Sequence, residues 1–323
     1  MGDLRKVQQT PTGTFFVCLP RAWAKQNGLK KGTLVNLDVT SDGKLIVDSE
    51  YSAEQTPRIA CLAIGPYLGR EIIGRYLLGY DVIRIEAKDR IAYDARSIVK
   101  STVVSLIGLE IVEETSAAIV LQCLLEPSGF LPEKILRRNY AIVAGMTRDA
   151  ANSFINNDLQ LAKTVIARDE ESNRLYFLLV RILRTIIQNP RLSEKLGITP
   201  IDCLDYRLAA SLIEGIGDAC VQVASKTIAL NGVNLSSELQ KLLIDLQTSC
   251  WEAHEQALKS FVTKDISLAE TVRNLREKID KTYLNIERVA KDSSLDLLPQ
   301  LLDVVSFLRQ IYERSVDMAD LVA

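Results

Sequence analysis

NNDLQLAKTVIARDEESNRLYFLLVR, residues 156–181, and VTKDISLAETVRNLREKIDKTYLNIER, residues 262–288, are two versions of one pattern. Asp158 meets Asp265, Ala162 meets Ala269, Tyr176 meets Tyr283 and Arg181 meets Arg288. Self-similarity within one chain marks an internal duplication. Further on, LIEGIGDACVQVA (212–224) aligns with IYERSVDMADLVA (311–323), placing Glu214 on Glu313 and Asp218 on Asp317. From Pro132 to Ala323 the pattern is helical almost throughout. Breaks are expected near Asn157, between Pro190 and Pro200, at Asn231-Gly232, near Lys264 and at Asp292–Ser294. This divides the region into two repeats of three helices, 132–231 and 235–323.

The carboxylates survive in both copies, whereas Gly215 has become Arg314 and Gly217 has become Val316. Residues four apart share a helix face, so each pair repels across one turn. The two glycines each cost a helix about 1 kcal/mol against alanine. Glu214 and Asp218 flank an apolar stripe of Ala209, Ile213, Ile216, Cys220 and Val223. Glu313 and Asp317 flank one of Val305, Leu308, Tyr312, Val316 and Ala319. One reading is two solvated acidic edges. The other is oxygen ligands for a hard or borderline cation, which would cancel the repulsion. Asp169 and Asp280 on the second helices could add oxygens.

Ahead of the helices lie two smaller regions. Residues 1–51 are turn-rich: the strand TFFVCLP, the helical turn RAWAKQNG, and a hairpin of TLVNLDV and KLIVDSEY around Asp42-Gly43. That is too little chain to bury much core alone. Residues 57–127 read as a small α/β unit, with helices in GREIIGRYLLGY and AYDARSIVKSTVVSLIG and strands in DVIRIEA, LEIVEE and AAIVLQCLL. Pro127 and Gly129 close it.

Composition limits the alternatives. The 323 residues are 47% hydrophobic but only 6% aromatic, which favours helical packing over an all-β sandwich. The net charge of −2 carries no global sign of a nucleic-acid or membrane partner. The start MGDLRKVQQT lacks the apolar run of a signal peptide, and Lys6 breaks the myristoylation pattern. No apolar run approaches the roughly 18 residues of a membrane span. Six scattered cysteines without a C-x-x-C pair read as core residues in a reducing compartment. The expected location is cytoplasmic.

Enzymatic constellations are not supported. The one histidine, His254, must serve any triad, and it lies on a helix with Cys250 one turn before it. A di-iron bundle site needs two Glu-x-x-His motifs. Neither a P-loop nor a Gly-x-Gly-x-x-Gly is present.

With Glu-x-x-x-Asp in the third helix of each three-helix repeat, residues 132–323 resemble the PhoU family of phosphate-uptake regulators. The family signature E-R-x-x-D stands here as ERSVD (313–317) and EGIGD (214–218). The resemblance implies a non-enzymatic protein that works with a phosphate ABC transporter ATPase or a signalling kinase. It also implies divalent or iron-type metal ions on Glu214, Asp218 and Asp169, and on Glu313, Asp317 and Asp280. The second helices depart from the pattern: Asn173 and Arg276 stand where the family carries acids. Asn173 still offers a carbonyl oxygen, whereas Arg276 would replace a metal with an ion pair.

TFFVCLPRAWAKQNGLKKGTLVNLDV (14–39) resembles the AbrB-like swapped-hairpin DNA-binding fold, an interlaced homodimer. Residues 1–37 hold Arg5, Lys6, Arg21, Lys25, Lys30 and Lys31 against Asp3, a local charge of +5. That is the footprint of a phosphate-backbone binder. The expected fold is mainly α: two tandem PhoU-like bundles after a β-rich swapped-hairpin domain and a small α/β unit. The expected function is a DNA-binding transcriptional regulator of phosphate uptake. The alternative is an adaptor that docks on a transporter or kinase without touching DNA.

Overall fold

The structure is a computed structural model that describes residues 4–39, 43–49, 57–230, 234–291, 293–294 and 297–322. Asp42 of the expected hairpin turn, the Asn231-Gly232 break, Asp292 and Asp3 lie outside the described residues. The chain forms two compact units, 1–56 and 57–323.

The first unit contains β1 (Gln8–Gln9), β2 (Phe15–Phe16), α1 (Arg21–Gln26), β3 (Asn36–Val39) and β4 (Leu45–Asp48). β1 pairs with β2 and β3 with β4, both antiparallel. Gly28, at φ +64, ends the short helix in a conformation open to glycine. None of this unit's described residues is buried. Phe15 is 68% exposed, Leu34 69% and Val39 64%. Apolar strands of this kind have no cover within their own chain.

The second unit opens with β5 (Ile59–Ala63), α2 (Leu68–Leu77), β6 (Val82–Glu86), α3 (Tyr93–Val104), β7 (Leu109–Glu114) and β8 (Ala118–Cys123). The sheet order is β5-β6-β8-β7, with β5 and β6 parallel and the other pairs antiparallel. Ile83, Ile85, Ile119 and Leu121 pack one sheet face against Leu68, Ile72 and Tyr76 of α2 and Val99 of α3. The other face stays open. Strand β5 was not anticipated from the sequence.

After a 3-10 turn (Pro127–Gly129) come α4 (Pro132–Ile155), α5 (Leu159–Gln188), α6 (Pro190–Leu196), α7 (Pro200–Leu230), α8 (Ser237–Thr263), α9 (Ile266–Asn274), α10 (Arg276–Ala290) and α11 (Leu297–Ala319). Helices α4, α5 and α7 make the first bundle; α8, α9 with α10, and α11 make the second. They join through α4 against α8 and α7 against α11, so one apolar core runs through both. Helix α7 is long and apolar enough to cross a membrane, yet 56% of that window is buried inside the bundles.

The duplication is visible in the backbone. Asn157 and Lys264 adopt φ +53 and +54 at the same turn. The next residue in each copy, Asp158 or Asp265, caps the second helix: Asp158 accepts from the amides of Gln160 and Leu161, Asp265 from that of Ser267.

Two features differ from the six-helix expectation. Helix α6 fills the connection between α5 and α7. The second copy's long helix is broken at Leu275, because the Tyr312 hydroxyl donates to the carbonyls of Val272 and Arg273, 3.3 Å from each. A side chain entering the helical ladder is a recognised cause of a kink. The first copy has Ile213 in place of Tyr312, and α5 runs unbroken for 30 residues.

Candidate ion site in the helical region

Asp169 on α5 lies over α7 at Gly217: its Oδ1 is 3.7 Å from where a Cβ on that glycine would stand. The other carboxylate oxygen accepts from the Asn173 amide at 2.8 Å. Oδ1 itself is buried and has no hydrogen-bond partner. Burial first, and the charge of Asp218 second, raise the Asp169 pKa, against the pull of Asn173. Burial also raises that of Glu214, followed by Asp218 and Asp169, while Arg314 and Arg207 pull it back. In the first bundle the Asp218 charge therefore acts on both Asp169 and Glu214 and disfavours their ionised forms.

Gly215 has a different reason to be glycine. A Cβ there would meet Nε of Arg314 at 2.4 Å. Arg314 is the counterpart of Gly215 in the second repeat, and it reaches from α11 onto the α7 backbone beside Glu214. The two aligned positions touch, and the glycine leaves room for the Arg314 guanidinium.

The second bundle solves the same charge problem from within. Arg276 stands where Asp169 stands in the first copy and donates to Glu313 Oε2 at 3.0 Å. Arg309 lies 3.0 Å from Asp280 and 3.7 Å from Glu313. Both guanidiniums also lie over aromatic rings, Arg276 on Tyr312 at 5.5 Å and Arg309 on Tyr283 at 5.2 Å. Asp317 is half outside this network; burial, then Asp320 and Glu313, raise its pKa, while Arg314 lowers it.

The sequence profile of the PhoU domain matches residues 136–227 and 243–322, more than half of the chain. The chain belongs to the PhoU family. Its PhoU region has the fold of PhoU from Pseudomonas aeruginosa, at 20% identity and a TM-score of 0.53 over 59% of this chain and 93% of that one. The phosphate transport system regulatory protein PhoU from Streptococcus pneumoniae is similar at 16% identity and 0.51, over 59% and 91%. Residues 8–55 match the profile of the antidote-toxin recognition protein MazE, a bacterial antitoxin. No curated protein sequence matches the chain. The chain thus joins a PhoU region to an AbrB/MazE-like N-terminal unit.

Among the described residues of this PhoU protein, no three histidine, cysteine, aspartate or glutamate side chains are placed to share a metal ion. The two expected ligand sets fare differently. Glu313 and Asp280 already face guanidiniums, so that set does not suit a cation. Glu214, Asp218 and Asp169 lie at electrostatic range from one another, and the partnerless Asp169 oxygen has the chemistry a hard cation uses.

The six expected DNA-contacting cations are all exposed. Arg21 and Lys25 stand one turn apart on α1, Arg5 and Lys6 precede β1, and Lys30 and Lys31 follow Gly28. His254 is buried against Tyr140, ring centroids 4.6 Å apart. Both ring nitrogens lack partners, and burial lowers its pKa to about 3. Cys250 is buried and its thiol is pushed up to about 12. Both side chains are shut off from solvent, and neither His254 nitrogen is hydrogen-bonded to Cys250. Arg314 was missed as a site residue, because only the tertiary fold brings it to Glu214.

Proposed function

We propose that this chain is a cytoplasmic, dimeric regulator of phosphate uptake that binds DNA through its first unit and senses state through its PhoU region. The observation that carries the reading is the joining of a PhoU region to a basic, AbrB/MazE-like unit that has no buried residue of its own. A unit with that much exposed apolar strand needs a second copy to complete a core, and two copies double the cationic charge. Arg21 and Lys25 on α1, with Arg5, Lys6, Lys30 and Lys31, would contact DNA phosphates. The PhoU region would signal to a phosphate ABC transporter ATPase or a kinase. It acts as a regulator, without catalysis. In its first repeat, Asp169, Glu214 and Asp218 are not placed to share an ion as they stand; they would have to draw together to hold one divalent or iron-type cation, whose charge would offset their repulsion.

The test is anisotropy titration of a DNA fragment from upstream of phosphate-transport genes. Affinity should fall steeply with salt, and Arg21→Ala with Lys25→Ala, which removes four cations from the dimer, should weaken binding and flatten the salt slope by about 4. Absence of DNA binding at low salt would sink the DNA half and leave an adaptor. Equilibrium dialysis with Mn²⁺ should show one bound ion, lost in Glu214→Gln with Asp218→Asn.

A further inference from the structure

The two edges of the α/β sheet are built differently. Edge strand β7 carries Glu110, Glu113 and Glu114 and a bulge between Ile111 and Glu113. Like charges and a bulge deter pairing with another strand. Edge strand β5 reads Ile-Ala-Cys-Leu-Ala: no charge, no proline, no bulge, and, among the described residues, β6 as its sole sheet neighbour. The charged residue just before it is turned away from guard duty. The Arg58 guanidinium donates to the Leu78 carbonyl and to Gln188, and its backbone amide to Asp81. Ile59 is 59% exposed, and Cys61 and Ala63 are exposed on the open sheet face.

From this contrast we propose that β5 pairs antiparallel with β5 of a second copy of this chain, joining two four-stranded sheets into one of eight. A twofold axis at Cys61, the middle residue of the strand, sets Ile59 against the second copy's Ala63 and Ala60 against its Leu62. Every opposed pair is uncharged, so the edge is complementary to itself, as an isologous interface requires. The β7 edge cannot do this, because its glutamates would face one another.

Chain length supplies the second argument. β4 ends at Asp48 and β5 begins at Ile59, so the joining segment spans at most about 35 Å. Two chains held together through their first units would keep both β5 edges at high effective concentration. A five-residue strand pair that is marginal between free molecules then forms. This inference rests on the dimeric part of the proposed function.

Cys61 makes the pairing readable. Directly opposed residues of antiparallel strands have Cα atoms about 4.5–5.5 Å apart, within disulfide range. The other exposed cysteine is Cys18; the remaining four are buried. In full-length Cys18→Ser protein, mild copper-phenanthroline oxidation should yield a covalent dimer linked at Cys61, mapped by peptide mass spectrometry. Ile59→Lys with Ala63→Lys sets cations opposite one another on the exposed face, and should cut that yield at least tenfold while light scattering still reports a dimer. A dimeric protein that gives no Cys61 link, or a link indifferent to the two lysines, overturns the edge pairing alone. A protein monomeric at every concentration overturns the dimeric reading as well.

Discussion

Arg276 grips Glu313 at 3.0 Å at the station where, one repeat earlier, Asp169 faces Glu214. The two sites stand on equivalent helices of the two repeats, and the second carries arginines, Arg276 and Arg309, where the first has Asp169 and Ala210. In the second repeat the cation is covalently part of the chain. In the first, Arg314 and Arg207 act on Glu214 only from a distance, and burial and the neighbouring carboxylates still raise its pKa. PhoU repeats here are alike in frame and opposite in electrostatic need.

Moving the arginine should move the behaviour. Asp169→Arg is expected to pair with Glu214, to abolish Mn²⁺ binding in equilibrium dialysis, and to raise stability by about 0.5 kcal/mol through relief of like-charge repulsion. Chemical denaturation measures the gain. Arg276→Asp should do the reverse, since Glu313 and Asp280 would lose one of their two cations.

The carboxylates of the first repeat should leave a signature in pH. Asp169 and Glu214 have raised pKa values in the fold, so the folded state holds their protons more tightly than the unfolded chain does. Their contribution is full below the ordinary carboxylate range and is lost as pH rises through the raised folded values. Asp169→Asn should therefore be more stable than wild type at pH 7, and the difference should vanish near pH 4. His254 acts with the opposite sign. With its pKa at about 3 in the fold, the unfolded chain alone takes up a proton as pH falls below about 6.5, so stability drops there. Its ring resonances should stay flat by NMR from pH 8 to 5.

Two glycines should respond in opposite directions to alanine. At Gly215 the intruding atoms belong to the flexible, half-exposed Arg314. The guanidinium yields, and the helix gains up to about 1 kcal/mol. At Gly108 the backbone is at φ +75 and a Cβ would meet the Leu125 side chain at 2.3 Å. Leu125 packs against both apolar cores, so displacing it disturbs both. A loss of about 2 kcal/mol is expected. Thermal melts of the two variants separate these outcomes.

Arg181 should prove to be the fastener of the α/β unit. It is buried on α5, donates to the carbonyls of Tyr76 and Tyr80 at 2.7 and 2.9 Å, and lies 3.6 Å from Asp81. Arg181→Leu leaves two carbonyls without their charged donor, a cost of about 3 kcal/mol. Hydrogen exchange should rise in α2 and the turn after it before it rises in α7.

The repeat was legible because its punctuation sits in the sequence: Asp158 and Asp265 cap equivalent helices, and Ala162 and Ala269 are buried alike. The acidic pairs were legible by spacing, and Arg276 by the misfit of its charge. The break at Leu275 was hidden, since its cause is a hydroxyl on another helix. Arg314 against Gly215 was hidden for the same reason: an alignment shows two residues as equivalent but not as touching. Strand β5 escaped notice because a five-residue apolar run has too little period to declare itself. Its partner, β6, lies beyond a helix in the chain.

The left-handed turn at Asn157 and Lys264 belongs to the repeat and not to the residue standing at it. Asparagine tolerates that conformation; lysine has no chemistry that favours it. Yet Lys264 holds φ within a degree of its counterpart. The frame of the three-helix unit, with a capping aspartate directly after the turn, dictates the bend. The helix faces are free of that constraint, and there one repeat carries an arginine where the other carries an acid.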